Sequence, residues 1–474
     1  VIRVLRLAPL GMTALLCGCA VGPDFHRPTP PAVDRYRATD DAAGGLALDR
    51  DTAIAQAWWH VLGSPDLDAL VAHGLANSPD VAGAQARLRS AQAQLRAGYG
   101  AFFPQVDGSF DATRERYSPS RVGSAGAAEV FSLFNPSVAV NFVLDLFGGN
   151  RRLVEALHAT ATAQAQTLRA TQLTLAGNIA STAIIRAAYH DEVTAWRDIV
   201  AADEAQLESA HARTGAGTEG YAAELALAQA LESARAGLKA AEVRAGQADD
   251  LLAVLVGDPP ASARLPDLAL AALHVPDSLP LRLPSELVRQ RPDIRVAEAT
   301  AHAASAQIGV ATAAMLPQVT LSAGTGSSTN TMGALFGAGT GVWNYGAGVT
   351  APLFSGGSLI NKRAAAKADY QAAMASWQET VVTAFGQVAD VLTANAGDAA
   401  ADAAEARADT DAQTAFHLAE ADRRAGLISE ADLAASRAAW QSAHISALSA
   451  RATHLQDAVA LYVALGGGID QPKP

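Results

Sequence analysis

The stretch Phe103-Pro104-Gln105-Val106-Asp107-Gly108-Ser109-Phe110-Asp111-Ala112-Thr113 changes its hydrophobic period at the proline. Upstream, residues 79–104 are rich in Ala, Gln, Leu and Arg, and Pro104 ends that helical run. Proline lacks the amide donor and disfavours helix in the residue before it. Downstream, apolar or small side chains fall on even positions (Val106, Gly108, Phe110, Ala112) and polar ones on odd positions (Gln105, Asp107, Ser109, Asp111, Thr113). That alternation predicts a two-faced strand. A second strand is predicted where Val138, Val140, Phe142, Leu144 and Leu146 alternate with Ser137, Asn141 and Asp145.

The same landmarks return. Ser78-Pro79-Asp80-Val81 recurs as Arg291-Pro292-Asp293-Ile294, and Phe103-Pro104-Gln105-Val106 as Leu316-Pro317-Gln318-Val319, each displaced by 213 residues. Leu146-Phe147-Gly148-Gly149 returns as Leu353-Phe354-Ser355-Gly356-Gly357, and Arg213-Thr214-Gly215 with Glu219 as Arg424-Ala425-Gly426 with Glu430. Four landmarks in one order read as a tandem duplication, joined by a Pro-rich segment from Pro259-Pro260 through Pro284. Each unit predicts helix, strand, strand, helix, helix. In the second, Val319, Leu321 and Ala323 alternate with polar neighbours, as do Trp343, Tyr345, Ala347, Val349, Ala351 and Leu353.

Four strands of about ten residues, apolar on one face, have the length of membrane-spanning β-strands. Any half-buried sheet also alternates. The second face, of Gly, Ser, Thr, Asn and Asp, suits a wet lumen, and Trp343 with Tyr345 suits an interfacial aromatic belt. Loops at about 115 to 136 and 327 to 341 would be the hairpin tips. Four strands cannot close a barrel, and an open edge in lipid leaves amides unsatisfied, so copies of the chain must share one. Two, three or four copies would supply 8, 12 or 16 strands, a choice the pattern leaves open.

Residues 151 to 212 contain no proline and at about 1.5 Å per residue would extend about 93 Å as helix. Tyr189, Val193, Trp196, Val200 and Leu207, and later Leu448, Leu455, Val459 and Tyr462, have coiled-coil spacing. Gly215 and Gly426 break the helical runs and predict tight reversals, giving two long helical hairpins per chain.

The chain has 474 residues, is half apolar, and carries 35 basic against 47 acidic side chains, a net charge of −12. The acidic balance speaks against a nucleic-acid partner. Only Cys17 and Cys19 occur, which excludes a disulfide framework or a Cys-based zinc site in the body of the protein. Arg3 and Arg6 precede an apolar run from Leu7 to Leu16, the form of a signal peptide. Leu16-Cys17-Gly18-Cys19 resembles a bacterial lipobox, with Cys19 as the lipid-attachment residue and first mature residue; the alternative is an ordinary secretory signal. Beyond residue 20 no window holds the apolar residues of a transmembrane helix, so any crossing must use strands.

Cys19-Ala20-Val21-Gly22-Pro23-Asp24-Phe25 with Arg27-Pro28, the Trp58-Trp59 pair, and Leu283-Pro284-Ser285-Glu286-Leu287 resemble outer-membrane efflux lipoproteins. So do Arg291-Pro292-Asp293-Ile294 with Ala297-Glu298, Ile308-Gly309-Val310-Ala311 and Leu316-Pro317. The chain is thereby identified as similar to the TolC-like outer-membrane factors of tripartite pumps. The resemblance implies a mixed α and β membrane protein, a homotrimer whose 12-stranded β-barrel continues into an α-helical periplasmic tunnel. It also implies a periplasmic adaptor and an inner-membrane pump as partners, and outer-membrane lipids around the barrel. It implies hairpin tips, here Gly215, Gly426, Arg213 and Arg424, that meet the adaptor, and a periplasmic gate at Asp432 and Glu430. Ala435 and Ile428 stand where some members carry an acid and an Arg, so a double acidic ring and one closed-state tie are in question. Three copies of Asp432 around a narrow pore would favour cations; the other reading is a solvated helix face.

The expected partition is a signal peptide at 1–18, an anchor and equatorial segment at 19–77, repeats at 78–258 and 291–466 joined by 259–290, and a tail at 467–474. No phosphate loop or His-Glu-x-x-His metal pair occurs, and Gly337, Gly339 and Gly341 read as a hairpin loop. His190-Asp191-Glu192 lies in a helix where successive side chains diverge, so it reads as a surface cluster. No catalytic or metal site and no cofactor beyond the lipid on Cys19 are expected. The reading is a passive exit duct for drugs and similar small molecules. Competing readings are a type I protein-secretion duct, a metal-efflux duct, or a periplasmic coiled-coil scaffold.

Overall fold

The structure is a computed structural model that describes residues 20–37, 48–49, 54–119, 123, 125–218, 220–276 and 278–468. In chain order the elements begin with β1 (Leu48–Asp49), α1 (Pro65–Asn77), α2 (Pro79–Gly98), β2 (Gln105–Tyr117), β3 (Glu129–Leu144), α3 (Gly149–Gly215) and α4 (Tyr221–Val256). Then come β4 (Leu279–Pro280), α5 (Pro284–Gln290), α6 (Pro292–Ala313), β5 (Gln318–Ser327), β6 (Gly341–Thr350), α7 (Ser358–Arg424) and α8 (Glu430–Ala464). The chain divides into two compact units, one of 1–28, 88–164 and 297–377, the other of 29–87, 165–296 and 378–474.

The first unit holds the sheet, ordered β2-β3-β5-β6 and antiparallel throughout. Its register aligns the two faces seen in the alternation. Val106, Val140, Ala323 and Tyr345 stand in one row, while Gln105, Asn141, Ser322 and Gly346 stand in a row of the opposite face. On the polar face Ser109 and Ser137 join through their hydroxyls at 2.8 Å. Trp343 and Tyr345 stack two residues apart with centroids 5.7 Å apart, and both are largely exposed. Every residue of the edge strands β2 and β6 is exposed, so neither strand packs on the helices of its own chain. Among the described residues both edges are unpaired within the chain.

The first hairpin is longer than expected: β2 has 13 residues and β3 16, where about ten were predicted. The alternation stops being readable at Arg114-Glu115-Arg116, which are polar on both faces, yet the ladder continues to Tyr117 opposite Glu129. Backbone pairing needs no apolar face, so much of the stretch expected as a loop at 115 to 136 is strand. Pro136, which cannot donate to a ladder, lies just beyond the last β3–β5 pair, Ser137 with Gly326. The second hairpin has the expected ten-residue strands.

In the second unit, Val193, Ala241 and Ala245 form a seam between α3 and α4 with Tyr189, Trp196 and Leu238 against it. Leu455, Val459 and Tyr462 of α8 are buried, and Trp58 stacks on Tyr462 at 5.4 Å. Phe416 of α7 stacks on Trp440 of α8 at 5.2 Å. A two-residue parallel pairing of β1 with β4 completes this unit. Among the described residues no helix is long and apolar enough to cross a membrane.

Candidate functional site: helical tips and N-terminal strap

Both helical hairpins turn by the same device. After α7, Gly426 adopts φ 76°, its amide donates to the Arg423 carbonyl, and the Leu427 amide donates to the Asp422 carbonyl at 2.9 Å. Such a reversal satisfies helix-end carbonyls and demands the left-handed residue that glycine supplies. After α3 the same bonds run from Gly217 to Thr214 and from Thr218 to Arg213, with φ 72° at Gly217. Gly215, expected to make the break, is instead the last helical residue. The reversal sits two residues later because three closely spaced residues, Gly215, Ala216 and Gly217, offered two glycines, and only the hydrogen-bond geometry selects between them. The tips then correspond as Gly217 with Gly426 and Tyr221 with Glu430, each 209 residues apart.

The tips differ in how the second helix starts. Gly220 leaves α4 without a side-chain cap, whereas Ser429 and Asp432 form a reciprocal capping box on α8. Asp432 Oδ2 accepts from the Ser429 hydroxyl at 2.6 Å and from its amide at 3.0 Å, and Ser429 Oγ accepts from the Asp432 amide at 3.2 Å. Those bonds from the Ser429 hydroxyl and backbone hold the exposed Asp432 carboxyl below the usual carboxylate range. Glu430 is paired across the turn with Arg423 at 2.8 Å. Arg424 instead turns back to the Glu420 carbonyl, and Arg213 to the Ser209 hydroxyl. Ser429 and Arg423 were missed as tip residues, although Ser429-x-x-Asp432 before a helix is a legible capping signal.

A second constellation lies in the sheet-bearing unit. The extended segment after residue 19 is strapped down at successive points. The Val21 amide donates to the Phe147 carbonyl, and Arg152 of α3 donates to the Val21 and Gly22 carbonyls and to Asp24 at 2.7 Å. Arg152 also pairs with Glu155 at 2.8 Å, and its side chain is almost wholly buried. Its hydrogen bond and charge hold the Asp24 carboxyl below its usual range. Phe25 stacks on His302 of α6 at 4.5 Å, and Arg27 pairs with Glu298 at 2.7 Å. Gly22, at φ 99°, passes so near Gly309 that a Cβ would lie 2.5 Å from its Cα. Two motifs quoted separately from the sequence, Gly22-Pro23-Asp24-Phe25 and the Glu298 to Gly309 block, are therefore halves of one contact. Arg152 carried no sequence signal for this role. Cys19 lies outside the described residues; Ala20, which follows it, packs at Gly148 beside the turn from β3 into α3.

His190, Asp191 and Glu192 do diverge. His190 faces Asp249 at 3.1 Å, Glu192 receives Arg244 and Trp196, and burial raises the Asp191 carboxyl against a backbone bond from Leu270. Among the described residues no group of three or more His, Cys, Asp or Glu is placed to hold a metal ion.

Comparison with known proteins agrees with this geometry. The family model described as "Outer membrane efflux protein" matches residues 70–258 and 283–467. The toluene efflux pump outer membrane protein TtgC of Pseudomonas putida is 30% identical over 485 residues, covering 98% of this chain and 95% of that one. The pyoverdine export outer membrane protein OpmQ of the same species is 28% identical over 482 residues, covering 100% and 99%. Among solved structures, the outer-membrane channel OprN superposes with a TM-score of 0.85 at 25% identity, covering 95% of this chain and 99% of that one.

Proposed function

The chain belongs to the outer membrane efflux protein family, and from that membership we propose that it is the passive exit duct of a tripartite efflux pump. Three chains supply a 12-stranded barrel in the outer membrane that continues into a helical periplasmic tunnel, which docks to an adaptor and an inner-membrane pump. The observation that carries this reading is the open four-stranded sheet, apolar along one face, polar along the other, with bare edges. In lipid such a sheet is stable only when its edges are paired.

The duct does no chemistry of its own and needs no cofactor. Cys19 is the lipid-attachment residue; the strap that follows it leads to the end of β3, where an acyl chain could enter the same leaflet as the barrel base. A lipid and a barrel together give firmer attachment than one acyl chain. Arg213, Gly215, Arg424 and Gly426, with Gly217, present the tips to the adaptor. Asp432 narrows the tunnel as an acidic ring, while Glu430, tied to Arg423, braces the turn behind it. The repeats run 78–258 and 291–466. Relatives named for toluene, for pyoverdine and for cation efflux resemble this chain to a similar degree, which supports a duct whose cargo is chosen upstream by the pump.

Fractionation tests the reading. Outer-membrane material that needs detergent and runs as a trimer is expected; a monomer freely soluble without detergent would refute it.

A further inference from the structure

The charged side chains of the four-stranded sheet are sorted by face. By the register, Asp107, Asp111 and Glu115 of β2 share the face of Gln105 and Ser109, and so does Glu129 of β3, which stands opposite Tyr117. Arg114 and Arg116 lie on the other face, in line with Val106, Phe110 and Ala112. β5 and β6 contain no charged residue. The alternation that separates apolar from polar positions thus also separates cations from acids, and it sets both cations of the sheet on the apolar side.

The strands fix the height of these cations. On β3 the positions of the apolar face run Leu144, Phe142, Val140, Val138, Pro136 and Phe134, and the next, Ser132, pairs with Arg114. At about 3.4 Å per residue and a tilt of about 40°, the stretch from Leu144 to Phe134 rises about 26 Å, which matches the apolar band of an outer-membrane barrel, about 25 Å tall. Arg114 is then the first side chain above that band, and Arg116, two residues on, stands about 5 Å higher, within the headgroup layer of about 5 to 7 Å. This is the hairpin end of the ribbon, opposite the end where α2 leads into β2 and β3 leads into α3. The protein offers these charges no carboxylate. Among the described residues no ion pair joins Arg114 or Arg116 to an acid. Residues 118–128 carry Arg121 and no acid, and the second hairpin, Gln318 to Thr350, whose β6 edge a neighbouring copy would lay against β2, carries none either.

We propose that Arg114 and Arg116 bind the phosphates of anionic lipid headgroups in the outer leaflet, fastening the hairpin end of the barrel at the upper edge of the hydrocarbon. A guanidinium matches a phosphate with two parallel N–H donors and keeps its charge at any physiological pH. A charge on the lipid face is costly at the bilayer centre and nearly free at the interface, so the first position beyond the apolar band is where that face admits an arginine. The aliphatic stems can lie along the last apolar row, Ala112 with Phe134, while the heads reach the phosphates. The inference rests on the duct reading, which sets the apolar face in lipid and the hairpin end at the exterior.

Lipid titration of the full-length protein in a neutral detergent tests it, with phosphatidylglycerol, phosphatidylcholine and inorganic phosphate as probes. The protein should bind phosphatidylglycerol about tenfold more tightly than phosphatidylcholine at low salt, a preference that shrinks as salt is raised. Arg114→Gln with Arg116→Gln should lose most of that preference, and each single variant part of it. Equal affinity for the two lipids in the unmodified protein overturns the proposal whether or not the variants assemble, and so does an undiminished preference in the double variant. Displacement of phosphatidylglycerol by an equal concentration of inorganic phosphate overturns it too, since the site would then hold a free anion rather than a lipid. Mass and detergent requirement, read on the same sample, keep the two readings apart: a detergent-bound trimer indifferent to the headgroup sinks this inference alone, and a soluble monomer sinks the duct as well.

Discussion

Asp432 Oδ2 sits 2.6 Å from Ser429 Oγ, so the acid proposed to ring the tunnel is also the group that caps α8. The two roles separate experimentally. Ser429→Ala removes the cap's acceptor and should cost about 1 kcal/mol of hairpin stability, with the charge retained. Asp432→Ala should raise single-channel conductance or lower cation selectivity in planar bilayers. Unchanged values on both counts would take Asp432 out of the constriction.

The Asp432 charge should also persist in acid. Its carboxyl is held below 3.8 by Ser429, so its stabilisation of the folded tip is present above that value and fades only as pH falls below it. Cation selectivity due to Asp432 is expected to be the same at pH 8 and pH 5. A titration of selectivity with a midpoint between those values, lost in Asp432→Ala, would show that the bonds to Ser429 are broken in the assembled channel.

The first tip distinguishes neighbouring glycines by sign. Gly217→Ala places a Cβ in the left-handed region and should destabilise the turn by about 1 to 2 kcal/mol. Gly215→Ala replaces a helical glycine and should stabilise it by up to about 1 kcal/mol. Local exchange of the tip amides reads both, and equal signs would contradict the assigned turn.

Arg152 should matter more than any partner it holds. Arg152→Ala strips the strap of bonds to two carbonyls and to Asp24 and Glu155 and should cost about 2 kcal/mol or more. Asp24→Ala, at an exposed site, should leave thermal unfolding nearly unchanged. The check is thermal unfolding of both variants as trimers.

Cys19→Ala should abolish incorporation of labelled fatty acid while leaving folded trimer in the membrane, since the barrel anchors independently. Continued labelling would place the lipid elsewhere.

The sheet was legible because two separate requirements, lipid outside and water inside, write a period of two into residues such as Val106 to Thr113. Where both parities turned polar at Arg114 to Arg116, that signal ended although the strand did not. The helical hairpins were legible from proline-free length and seam spacing, but the choice of Gly217 over Gly215 lies in two backbone hydrogen bonds. The strap lay beyond reach for another reason. Arg27 and Glu298 are 271 residues apart, and nothing in local composition tells an arginine which distant acid it will meet.

Disulfide trapping between the two bare edges tests the shared barrel most directly. Cysteines at mid-strand on β2 and β6, such as Phe110→Cys with Ala347→Cys, and partners offset by two residues to cover the register, would be oxidised in native membranes. Covalent dimers and closed trimers, with nothing larger, are predicted for one register. Cross-links confined within single chains, or none at any offset, would contradict a barrel built edge to edge from separate copies.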